Sequence, residues 1–162
     1  MPFARLAVAT SLLVFSAPLA SASRPVDPLR FFEGRTVVDG TVKVMFHKPY
    51  RTHSDGQGVM KPDGSLSLVQ RVVDEGKEPH DRKWRVRPVG EGTFTAMMSE
   101  AIGPVTIQQV GDSFRFRYKM KGKLSVEQVL TPMPDGRSAR NVGKVKRMGV
   151  TVATTTGVIR KV

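Results

Sequence analysis

The amino-acid sequence predicts an all-β protein, an antiparallel up-and-down β-barrel of about 8–10 strands. Turn-forming residues recur at intervals of about ten residues after Gly34, as expected for short strands joined by hairpins. The segments between them alternate apolar and polar side chains, which is the period of a strand with one buried face. No segment after Gly34 has the apolar spacing of an amphipathic helix.

Residues 1–22 have the pattern of a cleavable signal peptide. Arg5 precedes an apolar run over residues 6–15, and Ala20 and Ala22 supply the small side chains that signal peptidase accepts. The run is too short for a membrane-spanning helix, which needs about 20 apolar residues. We therefore expect cleavage before Ser23 and a periplasmic or secreted protein.

The remaining residues divide into a short lead, 23–33, and a single barrel domain, 34–162. Residues 29–32 are expected to form one helical turn before Gly34. The chain contains no cysteine, which excludes disulfides and the cysteine that anchors bacterial lipoproteins to lipid. We expect a soluble domain that relies on packing alone.

Hairpin turns are predicted where glycine, as in Asp-Gly, allows a positive φ, or where proline fixes φ near the value that a turn requires. The predicted turns are Ser54-Asp55-Gly56, Pro62-Asp63-Gly64, Asp74-Glu75-Gly76, Gly90-Glu91-Gly92, Gly111-Asp112, Lys121-Gly122 and Pro134-Asp135-Gly136.

The clearest strand is predicted over residues 113–121. Its apolar side chains are Phe114, Phe116, Tyr118 and Met120. The intervening side chains form a basic stripe of Arg115, Arg117, Lys119 and Lys121. Because side chains alternate between the two faces of a strand, the stripe is predicted to face outward. It is either a solvated sheet face or a cationic patch that docks on an anionic membrane or cell-wall polymer.

The chain is strongly basic, with 26 lysine and arginine residues against 14 acidic ones and a formal net charge of +12. In a cytosolic protein this charge would suggest nucleic acid, but the predicted export makes that partner unexpected. Anionic lipid headgroups, cell-wall polymers or an acidic ligand fit an exported basic protein better. The alternative is that the charge only maintains solubility.

No catalytic constellation is visible in the sequence, so we predict no enzyme activity, no cofactor and no metal. Thiol nucleophiles, the G-x-S-x-G elbow, the H-E-x-x-H motif and phosphate-binding glycine loops are all missing. The three histidines, His47, His53 and His80, lack the spacing of a metal site and are expected in exposed loops.

Three glutamines share the apolar face of their predicted strands: Gln70, Gln109 and Gln128. Each buried amide needs a hydrogen-bond partner, because an unpaired one costs about 1–3 kcal/mol. The partner could be another protein group, or the amides could be polar contacts in a ligand cavity. In the second case a lumen is predicted whose walls include Trp84, Phe116, Tyr118 and Met120.

The chain resembles a bacterial family of exported proteins and lipoproteins, domain of unknown function 3833. The matching pieces are Phe31-Phe32-Glu33-Gly34, Gly56-x-Gly58, Asp63-Gly64-x-Leu66-x-Leu68, Arg82-Lys83-Trp84-Arg85-Val86, Gly103-Pro104-Val105, Phe116-x-Tyr118-x-Met120, Asp135-Gly136-Arg137-Ser138-Ala139-x-Asn141, Met148-Gly149-Val150-x-Val152-Ala153 and Ile159-Arg160-Lys161. The resemblance implies a lipocalin-like barrel and carries over no catalytic residues. Relatives often have a lipid-anchored cysteine after the signal, which this chain lacks.

The first functional hypothesis is a non-enzymatic barrel that binds a small apolar or amphipathic ligand, since barrels of this size can hold one such molecule. The alternative is a structural or interaction protein that docks on the anionic cell envelope through its basic face. An enzyme is the third possibility.

Overall fold

The computed structural model describes residues 27–162 as one short helix and ten antiparallel strands. The elements are α1 (Pro28–Phe31), β1 (Gly34–Val44), β2 (Tyr50–Met60), β3 (Leu66–Asp74), β4 (His80–Gly90), β5 (Thr93–Met98), β6 (Ala101–Val110), β7 (Ser113–Met120), β8 (Leu124–Pro132), β9 (Ser138–Arg147) and β10 (Val150–Lys161). The predicted signal peptide and the first residues of the lead lie outside the described part of the chain.

The strands form a closed up-and-down barrel, which confirms the predicted fold class. Each strand pairs with its neighbours in sequence, and β1 pairs with β10 to close the sheet, with Thr36 opposite Lys161. Closure leaves no strand at a free sheet edge in residues 27–162, and free edge strands are the ones that pair with other chains.

Most of the predicted turns join consecutive strands, but one is wrong. Residues 54–56 lie in the middle of β2 rather than in a turn. Gly56 serves a different purpose there, because a Cβ at this position would contact the side chains of Thr36 and Gln70 on the adjacent strands. The hairpins around Phe46 and Met148 were not predicted, because neither has the usual turn residues at both central positions.

The turn between β8 and β9 shows how acidic residues serve the backbone in this fold. The hydroxyl of Ser138 and the backbone N–H groups of Arg137 and Ser138 donate to the Asp135 carboxylate. These hydrogen bonds hold the pKa of Asp135 below its ordinary value, the Ser138 hydroxyl having the largest effect. Asp135 is therefore a turn residue.

The helix α1 covers one end of the barrel. The Asp27 side chain caps its first turn by accepting from the Leu29 N–H at 2.9 Å. Leu29 and Phe31 are buried in the barrel core. Gly58 on β2 lies directly against the carbonyl group of Phe32, where no side chain would fit. One helical turn was predicted here, and the structure places it one residue earlier.

The core is densest at the end that α1 covers, which we call the closed end. Val105, Ile107, Phe114, Leu130 and Ile159 are all buried there. Phe114 meets Phe94 edge to face, with ring centroids 6.4 Å apart. At the opposite end, among the described residues, no element crosses the barrel, and we call this end the mouth.

Candidate functional site

A cavity of about 330 Å³ runs inside the barrel from α1 toward the mouth. Leu29 and Phe32 form its floor, whereas Val42, Tyr50 and Met120 line it near the mouth. This arrangement follows from the sequence, because each strand directs alternate side chains inward and α1 fills only one end. The cavity is a candidate ligand site.

Three aromatic side chains form one wall of the cavity. The Trp84 ring meets the rings of Phe116 and Tyr118 edge to face, each with centroids 6.4 Å apart. Met120 extends the wall toward the mouth. The four apolar residues predicted to line a lumen therefore all line the cavity, although whether they bind a ligand remains a prediction.

Two of the three predicted glutamines also line this cavity. The Trp84 Nε1–H donates to Gln70 Oε1 at 2.9 Å, and the Tyr118 hydroxyl is 3.4 Å from Gln128 Oε1. These contacts use the amide oxygens. Within residues 27–162 neither amide nitrogen makes a hydrogen bond, so both are available as donors to a bound molecule.

Glycines on the neighbouring strands make room for these amides. Gly56 lies opposite Gln70, and Gly143 lies opposite Gln128. A Cβ on Gly143 would meet the Gln128 side chain and the Thr155 hydroxyl. Thr155 lines the cavity as well, and its buried hydroxyl has no partner within the described chain. The middle of the cavity therefore combines unpaired polar groups with an aromatic wall.

Gln109, the third predicted glutamine, does not line the cavity. It is exposed beyond Ile107, the last buried residue of β6, and its Nε2 donates to the carbonyl oxygen of Gly111 at 3.2 Å. The prediction that it points into the lumen is wrong. The alternation of side chains along a strand predicts which face of the sheet a residue lies on, but not how far along the barrel axis it lies. Past Ile107 the inward face of β6 has already reached the turn at the closed end.

Burial changes the acidity of Tyr118. Loss of solvent raises the pKa of its hydroxyl to about 12, because the charged phenolate is disfavoured away from water. Arg82 opposes this shift and Glu100 adds to it. Tyr118 is therefore a neutral hydrogen-bonding group at physiological pH.

An ionic cluster at the mouth was not predicted. Glu100 accepts from Arg82 Nε and contacts His80 Nε2, both at 2.7 Å. Arg82 also lines the cavity, together with Asp74. Alternation could have found Arg82, since it shares the inward face of β4 with Trp84. Glu100 lies in a turn, where alternation gives no information.

The predicted basic stripe lies on the outside of β7 and its following turn. Arg117 Nε pairs with Glu127 Oε2 at 3.0 Å, and this hydrogen bond is the main reason that the pKa of Glu127 is lowered. Strand β9, which lies on the far side of β8, adds three exposed cations, Arg140, Lys144 and Lys146. Across β7, β8 and β9, Glu127 is the only carboxylate on the outer surface in the described structure.

The prediction of loop positions for the histidines is wrong for two of the three, because His53 lies within β2 and His80 begins β4. All three histidines make local contacts. His53 Nδ1 lies 2.8 Å from Asp39 Oδ1, and His47 Nδ1 lies 2.9 Å from the carbonyl oxygen of Met45. Among residues 27–162 no group of three potential metal ligands comes together. The same part of the chain contains no helix with the length and apolarity needed to cross a bilayer.

The closed barrel has a lipocalin-like fold, which two solved structures share. An S-type phycobiliprotein lyase, CPES, from Guillardia theta has a TM-score of 0.66 at 8% identity, covering 83% of this chain and 90% of the lyase. Rv2717c from M. tuberculosis has a TM-score of 0.61 at 12% identity, covering 86% and 98%. At such low identity the likeness concerns the fold alone.

The model of a family described as protein of unknown function (DUF3833) matches residues 16–161. The chain belongs to this family, and the resemblance drawn from the order of its motifs is confirmed. No curated protein matches the sequence.

Proposed function

We propose that this protein is an exported, non-catalytic barrel that binds a small amphipathic molecule in its cavity. The observation that carries the proposal is the cavity itself, which joins an aromatic wall to unpaired polar groups. Apolar walls with a few convergent polar groups are the usual composition of small-molecule sites.

The geometry also suggests how the molecule would lie. The free amide nitrogens of Gln70 and Gln128 would donate to an acceptor group, such as a carbonyl or carboxylate oxygen. The apolar part would pack between Trp84 and the floor formed by Leu29 and Phe32. A volume of 330 Å³ is near the lower end of ordinary ligand pockets, which favours one slender chain over a bulky ring system.

Trp84 provides a direct assay, because it is the only tryptophan in the chain. We expect its emission to be quenched or blue-shifted when the purified protein is titrated with fatty acids of increasing length. Gln128→Leu should weaken binding about three- to tenfold, since it removes one hydrogen-bond donor from the cavity.

Gln109→Leu is the matched control for this experiment. It makes the same chemical change on a glutamine that lies outside the cavity, so binding should match that of the wild type. If Trp84 emission stays constant across the lipid panel, and organic extraction of protein purified from its native host yields no lipid, the cavity does not bind such a molecule and the proposal fails.

Export is supported by the signal-peptide pattern of residues 1–22. We expect the protein recovered from a periplasmic fraction to begin at Ser23, as measured by intact mass. Loss of Arg5 with the signal would leave a net charge of +11, one less than the +12 of the whole chain. Recovery of a chain that still begins at Met1 or Pro2 would contradict the export proposal.

A second candidate function is docking on the anionic cell envelope through the outer surface of β7 and β9. The supporting observation is the charge imbalance described above. Within the described residues, the outer surface of β7, β8 and β9 carries one carboxylate, Glu127, and six exposed or half-exposed cations: Arg115, Arg117, Lys119, Arg140, Lys144 and Lys146. Such docking would weaken with added salt, because exposed charges are screened over about 8 Å at physiological ionic strength.

A further inference from the structure

Three neighbouring hairpins at the mouth differ from the rest of the barrel. They are the turns between β1 and β2, between β7 and β8, and between β9 and β10. Because β8 pairs with β9 and β10 pairs with β1, the three turns follow one another around the mouth. We call residues 45–49, 121–123 and 146–149 the basic rim.

The basic rim exposes two large apolar side chains. Phe46 is 95% exposed and Met148 is 86% exposed, the highest values for large apolar residues in the described structure. Phe46 lies in the β1–β2 hairpin and Met148 in the adjacent β9–β10 hairpin. Neither side chain contributes to the core, so packing within the barrel does not explain them.

The backbone at these tips is unfavourable for the residues it carries. Phe46, Lys123 and Met148 have φ values of 62°, 57° and 48°, and they are the only non-glycine residues with positive φ in residues 27–162. Each rim hairpin contains one of them. A bulky residue is strained in this left-handed region, whereas glycine adopts it freely. Strain of this kind is typical of residues kept for function.

Charge is segregated around the mouth. The basic rim carries Lys48, Lys121, Lys123, Lys146 and Arg147 and contains no acidic residue. The two remaining hairpins at the mouth, β3–β4 and β5–β6, together with the strand ends beside them, carry five of the 14 acidic groups: Asp74, Glu75, Glu78, Asp81 and Glu100. Three of these five pair with cations on the same side of the mouth. An anionic surface would attract the basic rim more strongly than the rest of the mouth, so it would also orient the molecule.

We propose that the basic rim docks on a bilayer that contains anionic lipid. Phe46 and Met148 enter the boundary between headgroups and acyl chains, and the rim lysines contact the headgroups. This combination of apolar and cationic groups is the one by which proteins bind membrane surfaces without spanning them. The mouth of the cavity then faces the bilayer. Docking through the basic rim goes beyond ligand binding and holds whether or not the cavity is filled. It competes with docking through the outer surface of β7 and β9, and the variants below distinguish the two.

The apolar part of the proposal is tested by cosedimentation with phosphatidylglycerol–phosphatidylcholine vesicles. Phe46→Asn with Met148→Asn should weaken binding at least about tenfold, because two apolar side chains no longer leave water. Asparagine tolerates positive φ, so the fold should be kept. Met97→Asn is the control, since Met97 is 61% exposed on β5, away from the rim.

The electrostatic part is tested with two triple variants that each remove three positive charges. Lys121→Gln, Lys123→Gln and Arg147→Gln change the basic rim. Arg115→Gln, Arg117→Gln and Lys119→Gln change the outer surface of β7. We expect the rim variant to lose most of its binding to anionic vesicles and the outer-surface variant to keep most of it.

Four results would overturn the proposal. Equal loss in the two triple variants would show that only net charge matters, and loss confined to the outer-surface variant would place docking on β7. Equal binding of the wild type to pure phosphatidylcholine vesicles would remove the role of anionic lipid. A dimer in sedimentation velocity that is abolished by the Phe46 and Met148 changes would make the rim a contact between copies of this chain.

Discussion

Replacing Gly58 by alanine is expected to lower the free energy of unfolding by about 3–6 kcal/mol. A Cβ at this position would overlap the carbonyl group of Phe32, and a backbone carbonyl cannot rotate aside as a side chain can. The α1 helix would have to leave the closed end. Leu29 and Phe31 would then lose their burial, which is worth about 1.5–3 kcal/mol for each side chain.

Gly90→Ala is the control for this experiment. Gly90 also lies in a strand, but the nearest atom to a Cβ there would be Thr93 Cβ at 4.0 Å, an ordinary contact. We expect its unfolding free energy to stay within about 1 kcal/mol of the wild type. Urea denaturation measures both variants. Equal midpoints for the two would mean that α1 is not a fixed cover of the closed end.

Alkaline pH should destabilise the barrel through Tyr118. The pKa of its hydroxyl is about 12 in the folded protein, against about 10 for a tyrosine in the unfolded chain. The folded state therefore holds the proton more tightly. The stabilisation is complete below pH 10 and is lost as the pH rises from about 10 to 12. A difference of about two pKa units corresponds to about 2–3 kcal/mol.

Tyr118→Phe isolates this contribution. Lysines titrate in the same pH range in both proteins, so the difference between the two denaturation series reports Tyr118 alone. We expect the wild type to lose about 2–3 kcal/mol more than the variant between pH 10 and pH 12. Parallel curves over this range would show that the Tyr118 hydroxyl is as accessible to water as in the unfolded chain.

The barrel could be predicted because its strands carry local information. In β7, apolar and basic residues alternate without interruption, and the structure places Phe114 in the core and Lys119 outside. Turn residues such as Asp63 and Gly64 mark where each strand ends. Where a turn lacked such residues, as at Phe46, the sequence predicted no hairpin, because positive φ at a phenylalanine is not expected.

The cavity could be predicted only in part. The alternation of apolar and polar residues correctly placed Trp84, Gln70 and Gln128 on the inner wall of the barrel. It failed for Gln109 because the depth of a residue in the barrel depends on where neighbouring strands end. The mouth cluster around Glu100 joins β4 to a turn between β5 and β6, and such pairings depend on register across strands. A single sequence does not define that register.

The pairing of β1 with β10 has a consequence for how the chain folds. Nine of the ten strand pairs join neighbours in sequence and can form as successive hairpins. The tenth joins the two ends of the domain, and closing a loop of that length costs about 4 kcal/mol of chain entropy. The β1–β10 pairing therefore accounts for nearly all of the entropy lost in bringing distant parts of the chain together. The folded barrel has no edge strand. Until β1 and β10 pair, however, the folding chain has two exposed edge strands, β1 and β10.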